Sequence, residues 1–256
     1  MSGKPHEALV GAQFGSRADA YLASAVHAQG ADLDALAALV RDRPEAMVLD
    51  LGCGGGHVSF AVAPLVRSVV ACDLSPEMLA VVARTAAECG LANLRTQQGV
   101  AERLPFPDAN FDCVLSRYSA HHWRDFDAGL REAARVLKPG GLLGVVDSVS
   151  PGPAHLDTWL QAVEILRDAS HIRSRSRPEW EDAIIRAGLV PGLARPFRIR
   201  LVFTVWIERM QTPPVRAEAI RALQALASDG VTRHFAVEAD GSFSIDVALF
   251  EAVKPL

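Results

Sequence analysis

The sequence predicts an α/β chain. Its expected core is a doubly wound, mostly parallel sheet of seven strands, with helices on both faces, an antiparallel edge and a helical C-terminal cap. Three observations carry this. Short apolar runs alternate with Ala- and Leu-rich stretches up to Ser150. The first of those runs ends in three alternating glycines, Gly52, Gly54 and Gly56. After Pro151 the rhythm changes to longer amphipathic helices and two late segments that alternate like strands.

Residues 16–42 read as helical, because "ADAYLASAVHA" and "ADLDALAALVRDR" are rich in good helix formers and Gly30 separates them. "AMVLDLG" and "RSVVACD" are apolar without alternation, as strands buried on both faces are. "SPEMLAVVARTAAECG" is a helix with Ser75 as N-cap, Pro76 at its first position and Gly90 just past its end. "NLRTQQG" and "FDCVLSR" give the third and fourth strands, "FDAGLREAARVL" a helix, "KPGG" a turn and "LLGVVDSVS" the fifth strand. Beyond Pro151, "AHLDTWLQAVEILRDAS" and "PEWEDAIIRAG" are helices flanking the polar loop "HIRSRSR". "RPFRIRLVF" and "GSFSIDVALFEAV" are the two late strands. Between them lies a helical stretch broken at Pro213 and Pro214.

Composition narrows the function. Half of the 256 residues are hydrophobic, 22% are charged, and the formal net charge is −4. A mildly acidic chain lacks the broad positive field that nonspecific nucleic-acid binding uses, so the expected partner is a small molecule. The four cysteines have no metal-ligand or redox spacing, which predicts reduced thiols and no metal site. No apolar run is long enough for a signal peptide or a membrane span. The expectation is a cytoplasmic monomer or homodimer.

A strand, a bare loop and a helix form a cradle of main-chain N–H groups against which a ligand can lie directly. A dinucleotide cradle has spacing G-x-G-x-x-G and holds a pyrophosphate. Here the spacing is G-x-G-x-G, and Asp50 precedes it. An acid there opposes a pyrophosphate and suits an ammonium group. Asp73, 17 residues after Gly56, ends the second strand, where a carboxylate can accept both hydroxyls of a ribose. Together these describe a site for S-adenosylmethionine.

Four stretches, "VLDLGCGGG", "VVACDLSPEML", "QQGVAERLPFPDANFDCVLSR" and "EAARVLKPGG", occur in the order and spacing of the class I S-adenosylmethionine-dependent methyltransferases. The chain most resembles their ubiquinone/menaquinone-biosynthesis-type branch, over roughly residues 10 to 150. The resemblance implies a Rossmann-like fold and methyl transfer to a small acceptor, planar or hydrophobic, with carbon, oxygen and nitrogen all open. It implies three parts: a lid over the cofactor at 1–42, a cofactor-binding core at 43–150 and an acceptor-binding cap at 151–256. Asp50, Gly52, Cys53, Gly54 and Gly56 would cradle the methionine end. Asp73 would bind the ribose beside Leu74, and Ala101 and Glu102 would line the adenine. Ser116 would open the loop that faces the methyl group. Tyr21, with Phe14, would lie on the lid. One departure stands out: the family's Gly-Asp-Ala after strand three is Gly99-Val100-Ala101 here, so the usual acceptor for the adenine amine is missing.

The loop "SRYSAHHWRDFD" follows strand four, where parallel-sheet enzymes place their ligands. His121 and His122 are the candidate bases, because imidazole titrates near neutrality. Arg117, Tyr118 and Asp147 are candidates for holding the acceptor. Trp159, Trp180, Trp206 and Met210 read mainly as core, with one or two free to wall a planar acceptor. Two other readings stay open here: an NAD(P)-dependent oxidoreductase, and a cofactor-binding regulator without chemistry.

Overall fold

The computed structural model describes residues 6–15 and 30–256, with the backbone alone at 12–15. Tyr21 and the segment "ADAYLASAVHA" fall outside the described residues. Among these, helices α1 (His6–Gly15) and α2 (Ala31–Ala38) precede the sheet. Then strand and helix alternate: β1 (Met47–Leu51), α3 (His57–Val62), β2 (Ser68–Asp73), α4 (Pro76–Glu88), β3 (Leu94–Gln98), β4 (Phe111–Arg117), α5 (Phe126–Val136) and β5 (Leu137–Ser150). The remainder comprises α6 (Ala154–Arg167), β6 (Arg175–Ser176), α7 (Arg177–Arg186), β7 (Val190–Pro191), β8 (Arg195–Leu201), α8 (Phe203–Arg209), α9 (Pro214–Ala225), α10 (Asp229–Phe235) and β9 (Phe243–Val253).

The strand order is β3-β2-β1-β4-β5-β9, with β7 and β8 sharing the outer edge of β9. The sheet is therefore seven positions wide. Pairs from β3 to β5 are parallel, and every pair on β9 is antiparallel. Period-two alternation divides the core between the two faces. Val48, Val69, Cys113, Leu115 and Val247 pack on one side against α2, α3, α6 and α8. Leu49, Val70, Val114, Val145 and Phe250 pack on the other against α5 and α7. The aromatic residues expected in the core are there: Trp180 stacks on Phe250 at 4.8 Å and meets Phe126 edge-on, while Trp159 lies 4.5 Å from Phe235.

Helix α1 and the short strands β6 and β7 were not foreseen in the sequence, and two further details differ from expectation. The "KPGG" turn is absorbed into β5 as a bulge: Phe111 faces Leu137, and the next paired residues are Cys113 and Leu142. Gly140, at φ 73°, makes that extra loop possible. Helix α10 was not expected; Ser228 caps it, its Oγ accepting from the Val231 N–H.

Chain order reverses between β2 and β4, the neighbours of β1. An open α/β sheet has its crevice at that switch point, beyond the C-terminal ends of the strands. No helix among the described residues is long and apolar enough to cross a membrane.

Candidate active site

A cavity of about 220 Å³ opens over the C-terminal ends of β1 and β4. Its wall is drawn from α1 (His6, Glu7, Val10), from the loops after β1, β2, β3 and β4, and from α6, α8, β8 and β9.

The three glycines serve three purposes. All have positive φ: 70°, 49° and 83°. A Cβ on Gly52 would fall 1.9 Å from Ser119 Oγ, so that glycine admits the β4 loop. A Cβ on Gly56 would press on Phe60 and Val82 at 2.9 Å, so Gly56 seats α3 against α4 and stands back from the cavity. A Cβ on Gly54 would meet nothing within 4 Å, although Gly54 lines the cavity. Gly52, Cys53, Gly54 and Gly55 all line the cavity, and Gly54 presents bare backbone to open space.

Asp50 is buried at the end of β1 and lines the cavity. Its Oδ2 accepts from the Ser59 N–H (3.0 Å) and Oγ–H (2.6 Å). Its Oδ1 is buried with no hydrogen-bond partner. Burial pushes its pKa up to about 7. An orphaned, desolvated carboxylate oxygen in a cavity wall is a place for a cationic donor. Asp73 Oδ2 accepts from the Gly54 N–H (2.8 Å) and Oδ1 from the Ser75 N–H (2.9 Å). Burial raises its pKa too. Each of its oxygens retains acceptor capacity. Leu74, Gly99, Val100, Ala101 and Glu102 continue the wall. Glu102 Oε1 is engaged by the Arg124 N–H at 2.9 Å and the Asp125 N–H at 3.3 Å, so it braces the start of α5.

Ser116 is placed differently from the sequence expectation. It is fully buried inside β4, where its Oγ donates to the Leu51 carbonyl at 2.7 Å, and it does not line the cavity. It ties β4 to β1; Ser119, three residues on, reaches the wall instead. Arg117 and Tyr118 line the cavity but share one buried acid. Asp32 Oδ2 accepts from Arg117 Nε at 2.7 Å and from the Tyr118 hydroxyl at 3.0 Å. Sequence reasoning missed Asp32 because it lies 85 residues from Arg117 and belongs to no motif.

His121 Nδ1 lies 2.6 Å from Asp147 Oδ1, and the His121 backbone N–H donates to Asp147 Oδ2 at 3.2 Å. The Ser148 N–H also donates to Oδ1, at 2.7 Å, which fixes the carboxylate. Asp147, expected to hold the acceptor, is instead buried within β5, three residues before its end, and does not line the cavity, whereas His121 does. Burial is the largest influence on His121 and disfavours its charge, but the Asp147 charge and hydrogen bond outweigh it and raise the pKa. For Asp147 burial is again largest, and the His121 charge overcomes it to lower the pKa. His122 differs. Its Nδ1 is 3.1 Å from the Ser170 carbonyl and its Nε2 is 3.9 Å from Asp168 Oδ2. Burial and the neighbouring His121 push it down to about 4. His171, foreseen as part of a basic loop, is buried; its Nε2 meets Gln161 Oε1 at 2.9 Å, and burial takes it to about 3.

The far end of the cavity joins Trp206, one of the aromatic residues named as a candidate wall, to residues the sequence did not single out as a site. Glu164 and Arg167 lie one turn apart on α6, 3.5 Å between charged groups, and the Arg167 guanidinium stacks over Trp206 at 4.9 Å. Ile199, Leu201 and Ile245 supply an apolar side.

A family model described as a methyltransferase domain matches residues 49–145. The chain is 35% identical over 246 residues to the uncharacterized methyltransferase YcgJ of Bacillus subtilis, across 94% of this chain and 97% of YcgJ. The YcgJ crystal structure aligns with a TM-score of 0.84 at 34% identity, over 88% of this chain and 98% of that one. The chain belongs to the class I S-adenosylmethionine-dependent methyltransferases. It is also 47% identical to the uncharacterized protein YafE of Escherichia coli, over 79% of this chain and 98% of YafE. Likeness to the ubiquinone/menaquinone biosynthesis C-methyltransferase UbiE of Cellvibrio japonicus, 39% identical, spans 41% of this methyltransferase and 43% of UbiE. The dinucleotide oxidoreductase, open from the glycine loop alone, falls away. The cofactor is S-adenosylmethionine, and the orphaned Asp50 Oδ1 and the open space before Gly54 are a fit for its ammonium and its chain.

Proposed function

We propose that this methyltransferase acts on a small, planar or hydrophobic acceptor whose nucleophilic atom gives up a proton to His121. The observation that carries this is the 2.6 Å contact between Nδ1 of His121, a residue of the cavity wall, and Oδ1 of Asp147, which does not line the cavity. A carboxylate on Nδ1 selects the tautomer protonated there and leaves Nε2 as the basic nitrogen. Asp147 then stabilises the imidazolium formed when His121 takes the acceptor's proton. When bound, S-adenosylmethionine supplies an electrophilic methyl carbon on a positively charged sulfur. The protein's share of the work is alignment, exclusion of water and proton removal.

In this reading Asp50, Gly52, Cys53 and Gly54 hold the amino-acid end. Asp73 and Leu74 hold the ribose, and Ala101 and Glu102 border the base. Arg117 and Tyr118, fixed by Asp32, shape the acceptor side. Residues 43–150 form the cofactor core, 1–42 its cover and 151–256 the acceptor cap. The cavity supports this division because residues from all three spans line it. Ile199, Leu201, Ile245 and Trp206 favour a flat or apolar acceptor.

The test is turnover of purified protein with S-adenosylmethionine against phenols, quinols and enolisable diketones, following S-adenosylhomocysteine release. His121→Ala should abolish turnover of the best acceptor while keeping its affinity for S-adenosylhomocysteine. Undiminished turnover in that variant would refute the assignment.

A further inference from the structure

Asp50 holds its two oxygens in unlike states. Oδ2 takes both donors of a single residue, the Ser59 N–H at 3.0 Å and Oγ–H at 2.6 Å. Oδ1 takes none among the described residues and is buried, although Asp50 lies in the cavity wall. Ser59 is completely buried on α3 and does not itself reach the cavity, whereas Asp50 does. A two-point hold on one oxygen fixes the rotation of the carboxylate about its Cβ–Cγ bond. Without the hydroxyl, Oδ2 would keep only the backbone donor, and the carboxylate could turn to share it between its oxygens. The neighbouring acid, Asp73, has a backbone N–H on each oxygen and no such asymmetry. An unpartnered buried acceptor is costly, so the arrangement fits a site completed by a ligand's donor.

We propose that Ser59 is a positioning residue for the cofactor. It occupies Asp50 Oδ2 so that Oδ1 alone is presented to the ammonium, and it thereby sets the preference of the site for nucleosides that carry an ammonium over those that lack one. The proposal rests on reading Asp50 as the ammonium's partner.

The experiment compares two ligands by calorimetry. S-adenosylhomocysteine carries the amino acid; 5′-methylthioadenosine keeps the adenine, ribose and sulfur without it. Ser59→Ala should weaken S-adenosylhomocysteine about tenfold or more, the range of a hydrogen bond to a charged group, and leave 5′-methylthioadenosine within about twofold. Retained methylthioadenosine binding shows that the variant's site is folded. Ser59→Cys, nearly the same size with a weak donor, should behave like the alanine variant, and Ser59→Thr, which keeps the hydroxyl, should restore the wild-type gap. Equal loss for both ligands, or no loss for either, overturns the proposal. Asp50→Asn separates the two levels. If it closes the gap and the Ser59 variants do not, the role of Ser59 is wrong. If it leaves the gap intact, the ammonium reading of Asp50 is wrong.

Discussion

The rings of His121 and His122 stand 4.1 Å apart at a 48° tilt, and two different environments push their pKa values apart, His121 up and His122 down. His121 has Asp147 at 2.6 Å; His122 has a carbonyl at 3.1 Å and its nearest carboxylate at 3.9 Å. Two imidazolium ions this close would repel, so the pair holds at most one proton readily, and it belongs on His121.

This sorting sets the pH dependence. A base must be unprotonated, so kcat falls as pH drops through the His121 pKa. That pKa is raised, so the acid limb lies above the ordinary imidazole value of about 6.5. Asp147→Asn removes the charge that raises it and should move the limb to lower pH while lowering the plateau by about a hundredfold or more. His122→Gln, which removes a ring already neutral at working pH, should leave the limb within about half a unit. The pH–rate profile of the three proteins checks this.

Cofactor binding should also depend on pH, through Asp50. Its pKa is pushed up to about 7, by burial first and then by nearby Asp73, against the Ser59 hydrogen bonds and the Arg117 charge. The ammonium needs the carboxylate form, so affinity for S-adenosylhomocysteine should fall up to about tenfold per unit as pH drops below 7. Without ligand the sign reverses. A carboxyl whose pKa is raised on folding contributes stability at low pH that is lost as pH rises through about 7. The melting-temperature increase caused by S-adenosylhomocysteine should therefore grow between pH 5.5 and 7.5, roughly the window around this pKa, and Asp50→Asn should flatten it.

The Asp32–Arg117 pair is structural and expensive to break. Both side chains are nearly inaccessible, at 6% and 4%. Asp32→Ala leaves a guanidinium and a phenol buried without their shared acceptor. A loss of about 3–5 kcal/mol is expected in urea unfolding, and Asp32→Asn should recover only part of it.

Two glycine substitutions should part company. Gly52→Ala drives its Cβ into Ser119 and should damage the fold of the β4 loop. Gly54→Ala carries only the backbone cost of φ 49°, about 1–2 kcal/mol, because nothing protein-borne stands before it. Its melting temperature should stay within a few degrees while S-adenosylhomocysteine binding is lost. Thermal unfolding set beside calorimetry distinguishes the two.

The parallel half of the fold was legible because each strand there is a local signal. "FDCVLSR" appears residue for residue as β4, and Ser75 caps α4 with its Oγ accepting from the Met78 N–H. The glycine cradle was legible for the same reason: its parts are neighbours in sequence. What stayed hidden depends on distance along the chain. Asp32 meets Arg117 and Tyr118 from another helix, and Arg167 meets Trp206 across 39 residues. Ser116 was expected at the cavity and lies inside β4, because sequence shows that a loop follows β4 but not where the strand stops being covered. The "KPGG" turn was real chemistry in an unforeseen place, a bulge that lets β5 continue.

Strand β9 comes last in element order, yet it sits between β5 and the outer pair β7 and β8. Phe243, Val247 and Phe250 on it are at most 2% accessible. During synthesis, β5 must wait with an open flank, and β7 and β8 lack the partner they share, until β9 has left the ribosome. A stop codon ahead of Phe243 would strip out an interior plank of the sheet, and the shortened product should be insoluble even though every cradle residue would still be encoded.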